Sequence, residues 1–600
     1  MNEDNRLAND TPGRDRPKAG GQATVPAMQW GSDAIAQLLR DIGCEYIAVN
    51  PGASYRGLHD SIVNYLGNEQ PQMLTCLHEE HAVAVAHGYA KVTGRLMAAA
   101  VHSNVGLMHA TMAIYNAWCD RAPVIVLGAT GPVDAARRRP WIEWIHTSRD
   151  QGALVRNYVK WDDQPGSVAA ALESLVRANM IARTAPCGPV YLCLDVSIQE
   201  EPLSRVPPMP DLSRHAQAMP PDPRKEDIER AAALLAQARN PVIFAGRVSR
   251  DPEAWRQRVQ LAERLNARVI TDLKTAASFP TLHPLHGGAP GFRLSAEDKS
   301  LLKNSDVVLS LDWIDLAGAL RQGYRDEQVG ARIINVTLDG FRTNGWSMDH
   351  QALALNDLAI ASTPDQVVAC LLDRLGAPAT GTDAVHKESK PASTPEIPGS
   401  GAIDLTSLAV CLNRVIRGQN VSLLRLPLGW PGALCEFAQP LDYLGYDGGA
   451  GIGSGPGMVV GAALALRQTH RIPVAVLGDG DLLMGGMALW TAARHRIPLL
   501  VIVANNRSFH NDEAHQEAVA KMRARPAENK WIGQRLDDPP VDIPALARSQ
   551  GWNTAGTVSD VANLPAALAQ GLEAVKAGGC YLVDVRTRPG YVSKMGSDEY

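Results

Sequence analysis

Short, wholly apolar runs separated by helix-length segments constrain this chain more than any other feature. "YIAV" (46–49), "LMAAAV" (96–101), "PVIVLG" (123–128) and "GPVYLCLD" (188–195) mark the first third. "PVIFAG" (241–246), "RVIT" (268–271), "DVVLSL" (306–311) and "RIINVT" (332–337) mark the middle. "PVAVLG" (473–478), "PLLVIVAN" (498–505) and "YLVDVRT" (581–587) mark the end. A strand without polar alternation is buried on both faces, so it belongs in a parallel sheet covered by helices on each side. Helical patterns at 32–42, 79–93 and 105–118 supply such layers. Two stretches read as linkers: the proline-rich 203–224 and the Gly/Ser/Pro/Thr-rich 376–402. The sequence therefore predicts an α/β chain of three tandem doubly wound parallel-sheet domains, at 28–202, 225–375 and 403–590. Residues 1–27 read as a disordered polar N-terminus and 591–600 as a polar tail.

In open α/β sheets, ligands bind at the carboxyl ends of strands. "GDGDLLMG" (478–485) occupies such an end, after the apolar strand 473–477. Glycine turns that feed a helix bind phosphate through bare backbone N–H groups, yet Asp479 and Asp481 would repel one. A divalent cation resolves the conflict, because Mg²⁺ is commonly held by one or two carboxylates together with phosphate oxygens. Gly478 and Gly480 allow the tight turn, and a helix predicted at 484–495 adds its N-terminal dipole. Asn505 and Asn506 end the next strand. Consecutive parallel strands are often neighbours, so an Asn oxygen can share the cation with Asp479. A dinucleotide fingerprint in "GGAGIGSGPG" (448–457) is disfavoured, because Met458 takes the place of the third glycine after Gly453 and Gly455.

A GDG turn followed some two dozen residues later by NN resembles the thiamine diphosphate motif of the acetolactate synthase, pyruvate oxidase and pyruvate decarboxylase superfamily. The resemblance runs from about 28 to 590 and implies a domain order of pyrimidine-binding, central and diphosphate-binding. It implies Asp479, Asn506 and the backbone carbonyl of Ser508 as Mg²⁺ ligands, with Asp481 and Asn505 beside the diphosphate. "LHEEHAVAVAHGYAKVTGR" (77–95) resembles the same family's H-E-x-x-A segment and places Glu79, not Glu80, as the carboxylate that activates the cofactor. "AGIGSGPG" (450–457) resembles a G-x-M-G-x-G segment and assigns Ile452, flanked by Gly451 and Gly453, to prop the bent cofactor. The two ends of the cofactor fall to different domains, which in this family come from two subunits. A homodimer or homotetramer is implied.

The reaction is less sharply drawn. The glutamine that acetolactate synthases carry after the third apolar run is Thr130 here, and their Phe-Gln-Glu run falls near His146-Thr147-Ser148, so a flavin is not expected. "NVGLMHATMAIYNAW" (104–118) is closer to 2-hydroxyacyl-CoA lyases and oxalyl-CoA decarboxylases. That likeness implies a 2-hydroxyacyl-CoA lyase-like cleavage of a C–C bond next to a carbonyl, with ADP or CoA in the central domain. The alternatives are an acetolactate synthase-type carboligase or decarboxylase, which starts from a 2-oxo acid, and a non-catalytic cofactor-binding subunit. His146, Asp150 and Gln151 are candidates for the active-site mouth. Glu513, His510 and His515, soon after the NN pair, are candidates for proton transfer, and Glu513 is preferred by position.

A net charge of −5 gives no basic excess for nucleic acid. Nine scattered cysteines without a CxxC pair read as reduced thiols of a cytoplasmic protein. No apolar run of membrane-spanning length and no secretory leader is evident, so a membrane is not an expected partner, and the family resemblance implies a small-molecule substrate.

Overall fold

The computed structural model describes residues 27–341, 352–376 and 394–590. The N-terminal segment 1–26, most of the 376–402 linker and the tail 591–600 lie outside the described residues. Three sheets follow one another along the chain, and every strand pairing in them is parallel.

The first sheet contains β1 (Tyr46–Val49), β2 (Gln72–Thr75), β3 (Met97–Ala100), β4 (Val124–Thr130), β5 (Asp162–Asp163) and β6 (Val190–Asp195), in the order β2-β1-β3-β4-β6-β5. The central sheet contains β7 (Pro241–Ala245), β8 (Arg268–Ile270), β9 (Val307–Leu311), β10 (Arg332–Val336) and β11 (Leu358–Ile360), in the order β11-β10-β9-β7-β8. The third contains β12 (Val421–Arg425), β13 (Ile472–Gly478), β14 (Leu499–Asn505), β15 (Asn553–Val558) and β16 (Cys580–Arg586), in the order β12-β13-β14-β16-β15. Each sheet has an apolar cluster on both faces, as uniformly apolar strands require. All the strands that the apolar runs predicted are present. Those they did not predict, β2, β5, β11, β12 and β15, are all edge strands. An edge strand needs less continuous burial, and β15 alternates exposed and half-buried residues along most of its length.

The first and third domains share one core cluster. Its centre is the packing of helix α1 (Glu79–Thr93) on helix α3 (Gly455–Leu466); helix α2 is Ser103–Cys119. A Cβ on Gly88 would lie 1.9 Å from the Met458 carbonyl oxygen, and one on Gly461 would lie 1.9 Å from that of Val85. The two backbones therefore touch. Gly457 sits against His81 and Ala84, so the helices run side by side in the same direction with their N-termini together. That packing brings the Glu79–Glu80 turn beside the glycine-rich loop before α3.

One predicted helix is redrawn. The segment read as 484–495 is two short helices, α4 (Asp479–Gly485) and α5 (Ala488–Arg494). The first begins inside the GDG turn itself, with Gly478 as its N-cap. Among the described residues, no helix is long and apolar enough to cross a membrane.

Candidate active site

The third domain holds a cavity of about 310 Å³ at the carboxyl end of β13 and β14. β13 pairs directly with β14, with Gly478 opposite Ala504, so the GDG turn and the NN pair lie side by side. Gly478, Asp479, Gly480, Asp481, Asn506 and Ser508 line one part of the cavity, and Arg425, Tyr446 and Ile452 another. Asp479 is buried, and its Oδ2 accepts from the Ser508 amide at 3.2 Å. Asn506 Oδ1 accepts from the same amide at 2.9 Å. The two side chains thus converge on one point of the backbone. Burial pushes the Asp479 carboxyl up to about 6, against backbone donors that pull it down. A carboxylate beside an amide oxygen is a hard, all-oxygen donor set of the kind Mg²⁺ takes. A Cβ on Gly478 would meet nothing within 4 Å, so the helix N-terminus opens onto unfilled space of the kind a phosphate uses. The residues present fit a metal-bound diphosphate.

Asp481 faces two ways. Its Oδ1 accepts from the Gly453 amide at 2.7 Å, which pins the loop that carries Ile452. Its Oδ2 lies 3.1 Å from Arg425 Nη2, and Arg425 also pairs with Asp447. All three charges are buried, and the guanidinium stacks on Tyr446 at 4.0 Å. One cation serves two buried carboxylates here. Burial raises Asp447 to about 7, although Arg425 pulls it down.

Three sequence candidates sit elsewhere. Asn505 does not line the cavity: its Nδ2 donates to Asp584 Oδ1 at 2.8 Å across β14 and β16, within the sheet. Glu513, on helix α6 (His510–Met522), is buried and accepts from Ser508 Oγ at 2.5 Å, with Arg535 Nε at 3.4 Å. It braces the Ser508 turn and is not among the cavity-lining residues, because the helix directs it back onto that turn. His515, on the same helix, is exposed, whereas His510 lines the cavity.

The first domain holds the other constellation. Glu79 opens α1, N-capped by His78, whose Nδ1 accepts from the Glu80 amide. The two consecutive glutamates diverge. Glu80 Oε1 accepts from Ser454 Oγ at 2.6 Å in the glycine-rich loop. Glu79 is buried against α2, with its Oε2 3.1 Å from His109 Nδ1. Gly106 makes room for it, since a Cβ there would lie 2.9 Å from Glu79 Oε1. Close by, Ser54 Oγ is 2.9 Å from His102 Nδ1, and the His102 and His146 rings meet edge to face at 4.8 Å. Burial first, and His146 second, lower the His102 pKa, against the pull of Glu79. His146 is therefore placed within the histidine cluster. Asp150 is instead held by Arg156 at the surface, and Gln151 is buried with its Nε2 on the Ala129 carbonyl. His102, His109 and Arg425 escaped the sequence reading. Arg425 did leave a signal, as the one charge inside the apolar run "VSLLR".

In the central sheet the strand order reverses between β7 and β9, where a nucleotide is expected. Ion pairs cross that crevice. Arg247 follows β7, Asp312 follows β9 and Asp339 follows β10. Arg121 of the first domain lies 2.5 Å from Asp312 and also pairs with Asp339, while Arg247 lies 2.8 Å from Asp339.

Sequence models of a family match all three domains. The thiamine pyrophosphate enzyme N-terminal TPP binding domain matches residues 29–154, the central domain 228–344 and the C-terminal TPP binding domain 428–585. The chain belongs to the thiamine pyrophosphate enzymes. Among curated relatives, the acetolactate synthase large subunit of Corynebacterium glutamicum is 25% identical over 48% of this chain and 45% of its own. The sulfoacetaldehyde acetyltransferase of Rhodobacter capsulatus is 27% identical over 53% and 51%. This chain thus spans about half the length of the curated relatives it matches. The fold is that of the benzoylformate decarboxylase from Polynucleobacter necessarius, with a TM-score of 0.75 over 94% of this chain and 100% of that one at 19% identity.

Proposed function

We propose that this thiamine pyrophosphate enzyme is Mg²⁺-dependent and cleaves or forms a C–C bond next to the carbonyl of a 2-oxo acid. The convergence of Asp479 and Asn506 on the Ser508 amide carries the reading. Asp479, Asn506 and the Ser508 carbonyl would hold the metal, and the Gly478 turn the diphosphate. Ile452 would support the cofactor from the loop that Asp481 pins. When bound, thiamine diphosphate supplies an electron sink for the bond being broken.

Glu79, a buried carboxylate, would hydrogen-bond the pyrimidine end of the cofactor and assist proton transfer there. Among the described residues, the cavity is lined only from 405 onward, whereas Glu79 belongs to the first domain. Although Glu80 reaches the loop of Ile452, Glu79 turns instead to His109, so a second copy of the chain is the proposed source of the carboxylate that faces this cavity. His102, depressed in pKa, is neutral at pH 7 and, with Ser54 and His146, offers donors and acceptors to substrate oxygens. A 2-oxo acid is preferred to an acyl-CoA because two arginines at the central crevice, Arg121 and Arg247, are already paired with Asp312 and Asp339 and so are not free for CoA phosphates. The acetolactate synthase relative accords with this choice.

The test is a product screen of the holoenzyme. CO₂ release or carboligation from a panel of 2-oxo acids is expected. Cleavage of a 2-hydroxyacyl-CoA without any 2-oxo acid turnover would overturn the substrate class. Glu79→Ala should abolish turnover while leaving cofactor binding intact, and unchanged turnover would remove Glu79 from the site.

A further inference from the structure

Three side chains of the first domain meet at metal-ligand spacing. One ligand atom each from His78, Glu79 and His109 lies within 4.8 Å of the others. Glu79 Oε2 and His109 Nδ1 are 3.1 Å apart. In a tetrahedral zinc site with bonds of about 2.0–2.1 Å, neighbouring ligand atoms are about 3.3 Å apart, so this pair already forms one edge of such a site. The His78 and His109 rings stack at 4.8 Å, so the His109 ring must turn out of the stack for both in-plane lone pairs to meet at one metal. His78 Nδ1 is engaged by the Glu80 amide, which leaves Nε2 as its ligand atom. In the single chain the His109 side chain is half exposed, so its ring can turn to close the set. Behind His78 stands His81, buried, with its ring 5.4 Å from that of His78.

We propose that His78, Glu79 and His109 form a transition-metal site, selective for Zn²⁺ and related borderline cations, with water as the fourth ligand. Two imidazoles and one carboxylate are a zinc donor set; Mg²⁺ prefers oxygen alone and belongs with Asp479. Binding replaces the Glu79–His109 contact with two metal bonds. His109 must present a deprotonated Nδ1, and any proton on it leaves to solvent. The three ligands come from the first domain alone, so binding requires no thiamine diphosphate. On the proposed function it has a consequence: metal here takes the carboxylate that the cofactor needs, so Zn²⁺ inhibits by opposing cofactor activation.

The experiment uses Co²⁺ as a spectroscopic probe on the full, metal-stripped, cofactor-free protein. Tetrahedral visible bands that saturate at a single Co²⁺ per chain, and that added Zn²⁺ removes, are expected. His109→Asn and His78→Asn should each weaken binding by about tenfold or more. The exposed His515→Asn should leave it unchanged. Circular dichroism confirms that each variant is folded. Bands that persist in both His78→Asn and His109→Asn, or that never form in the wild-type protein, overturn the site. Because cobalt binding is read without cofactor or substrate, its failure leaves the proposed function standing, and failure of 2-oxo acid turnover leaves the metal site standing.

Discussion

Replacing Arg425 with Met should cost more than any surface change and should do so through the charges left behind. Arg425, Asp447 and Asp481 are all 5% exposed or less, and the guanidinium is the cation both carboxylates share. Removing one partner of a buried ion pair costs about 3–5 kcal/mol, mostly because the remaining charge is desolvated and uncompensated. Here two carboxylates are stranded, so the upper part of that range is expected. Asp481 also accepts the Gly453 amide that fixes the Ile452 loop. Arg425 holds the other oxygen, Oδ2, so its loss frees Asp481 to turn away from Gly453, and weaker thiamine diphosphate binding is expected. Denaturant unfolding of the cofactor-free protein, followed by titration with cofactor and Mg²⁺, measures both effects. The double variant Arg425→Met/Asp447→Asn removes one stranded charge and should recover a large part of the stability. The deficit in Arg425→Met should shrink as the pH falls, because protonation neutralises the orphaned carboxylates. A double variant no more stable than the single one, or an Arg425→Met protein that melts and binds cofactor like wild type, would refute the argument.

Three further outcomes follow from local geometry. Gly480→Ala places a Cβ 2.6 Å from the Phe509 ring and should destabilise by about 1–3 kcal/mol. Gly478→Ala meets no protein atom and should leave cofactor-free stability within about 0.5 kcal/mol, yet weaken diphosphate binding by filling the space beside the turn. Gly88→Ala drives a Cβ onto the Met458 carbonyl, a backbone atom that cannot step aside, and should lower the melting temperature while separating the first and third domains under limited proteolysis. Burial lowers His81 to about 4. Above about pH 6.5 the ring is neutral both folded and unfolded; below that the unfolded chain takes the proton first. Stability of about 3 kcal/mol is therefore lost as the pH falls from about 6.5 through 4, and His81→Asn should flatten that part of a melting-temperature profile.

Much of this molecule is legible in one dimension because its signals are local. A strand buried on both faces must be apolar throughout, so the interior strands of all three sheets can be read directly. Consecutive parallel strands place their carboxyl ends side by side, so the meeting of the Gly478–Asp481 turn with Asn506 can be read too. Glu79 was distinguished from Glu80 by motif alone, and the fold shows the two carboxylates pointing in different directions. Five of the six edge strands were not legible: β15 alternates exposed and half-buried residues, β2 and β5 are mostly half-buried, β11 is three residues long, and β12 carries Ser422 and Arg425 within its buried run. Tertiary structure alone decided which polar side chains share a partner. It turned Asn505 to Asp584 and Glu513 to Ser508. It joined Arg425 to two aspartates, one 22 and one 56 residues further on. It also set His109 on Glu79, and paired Asp312 of the central domain with an arginine from the first. Residue type is enough where one side chain meets solvent or apolar core; where two distant charges must find each other, only the path of the backbone in space determines the pair.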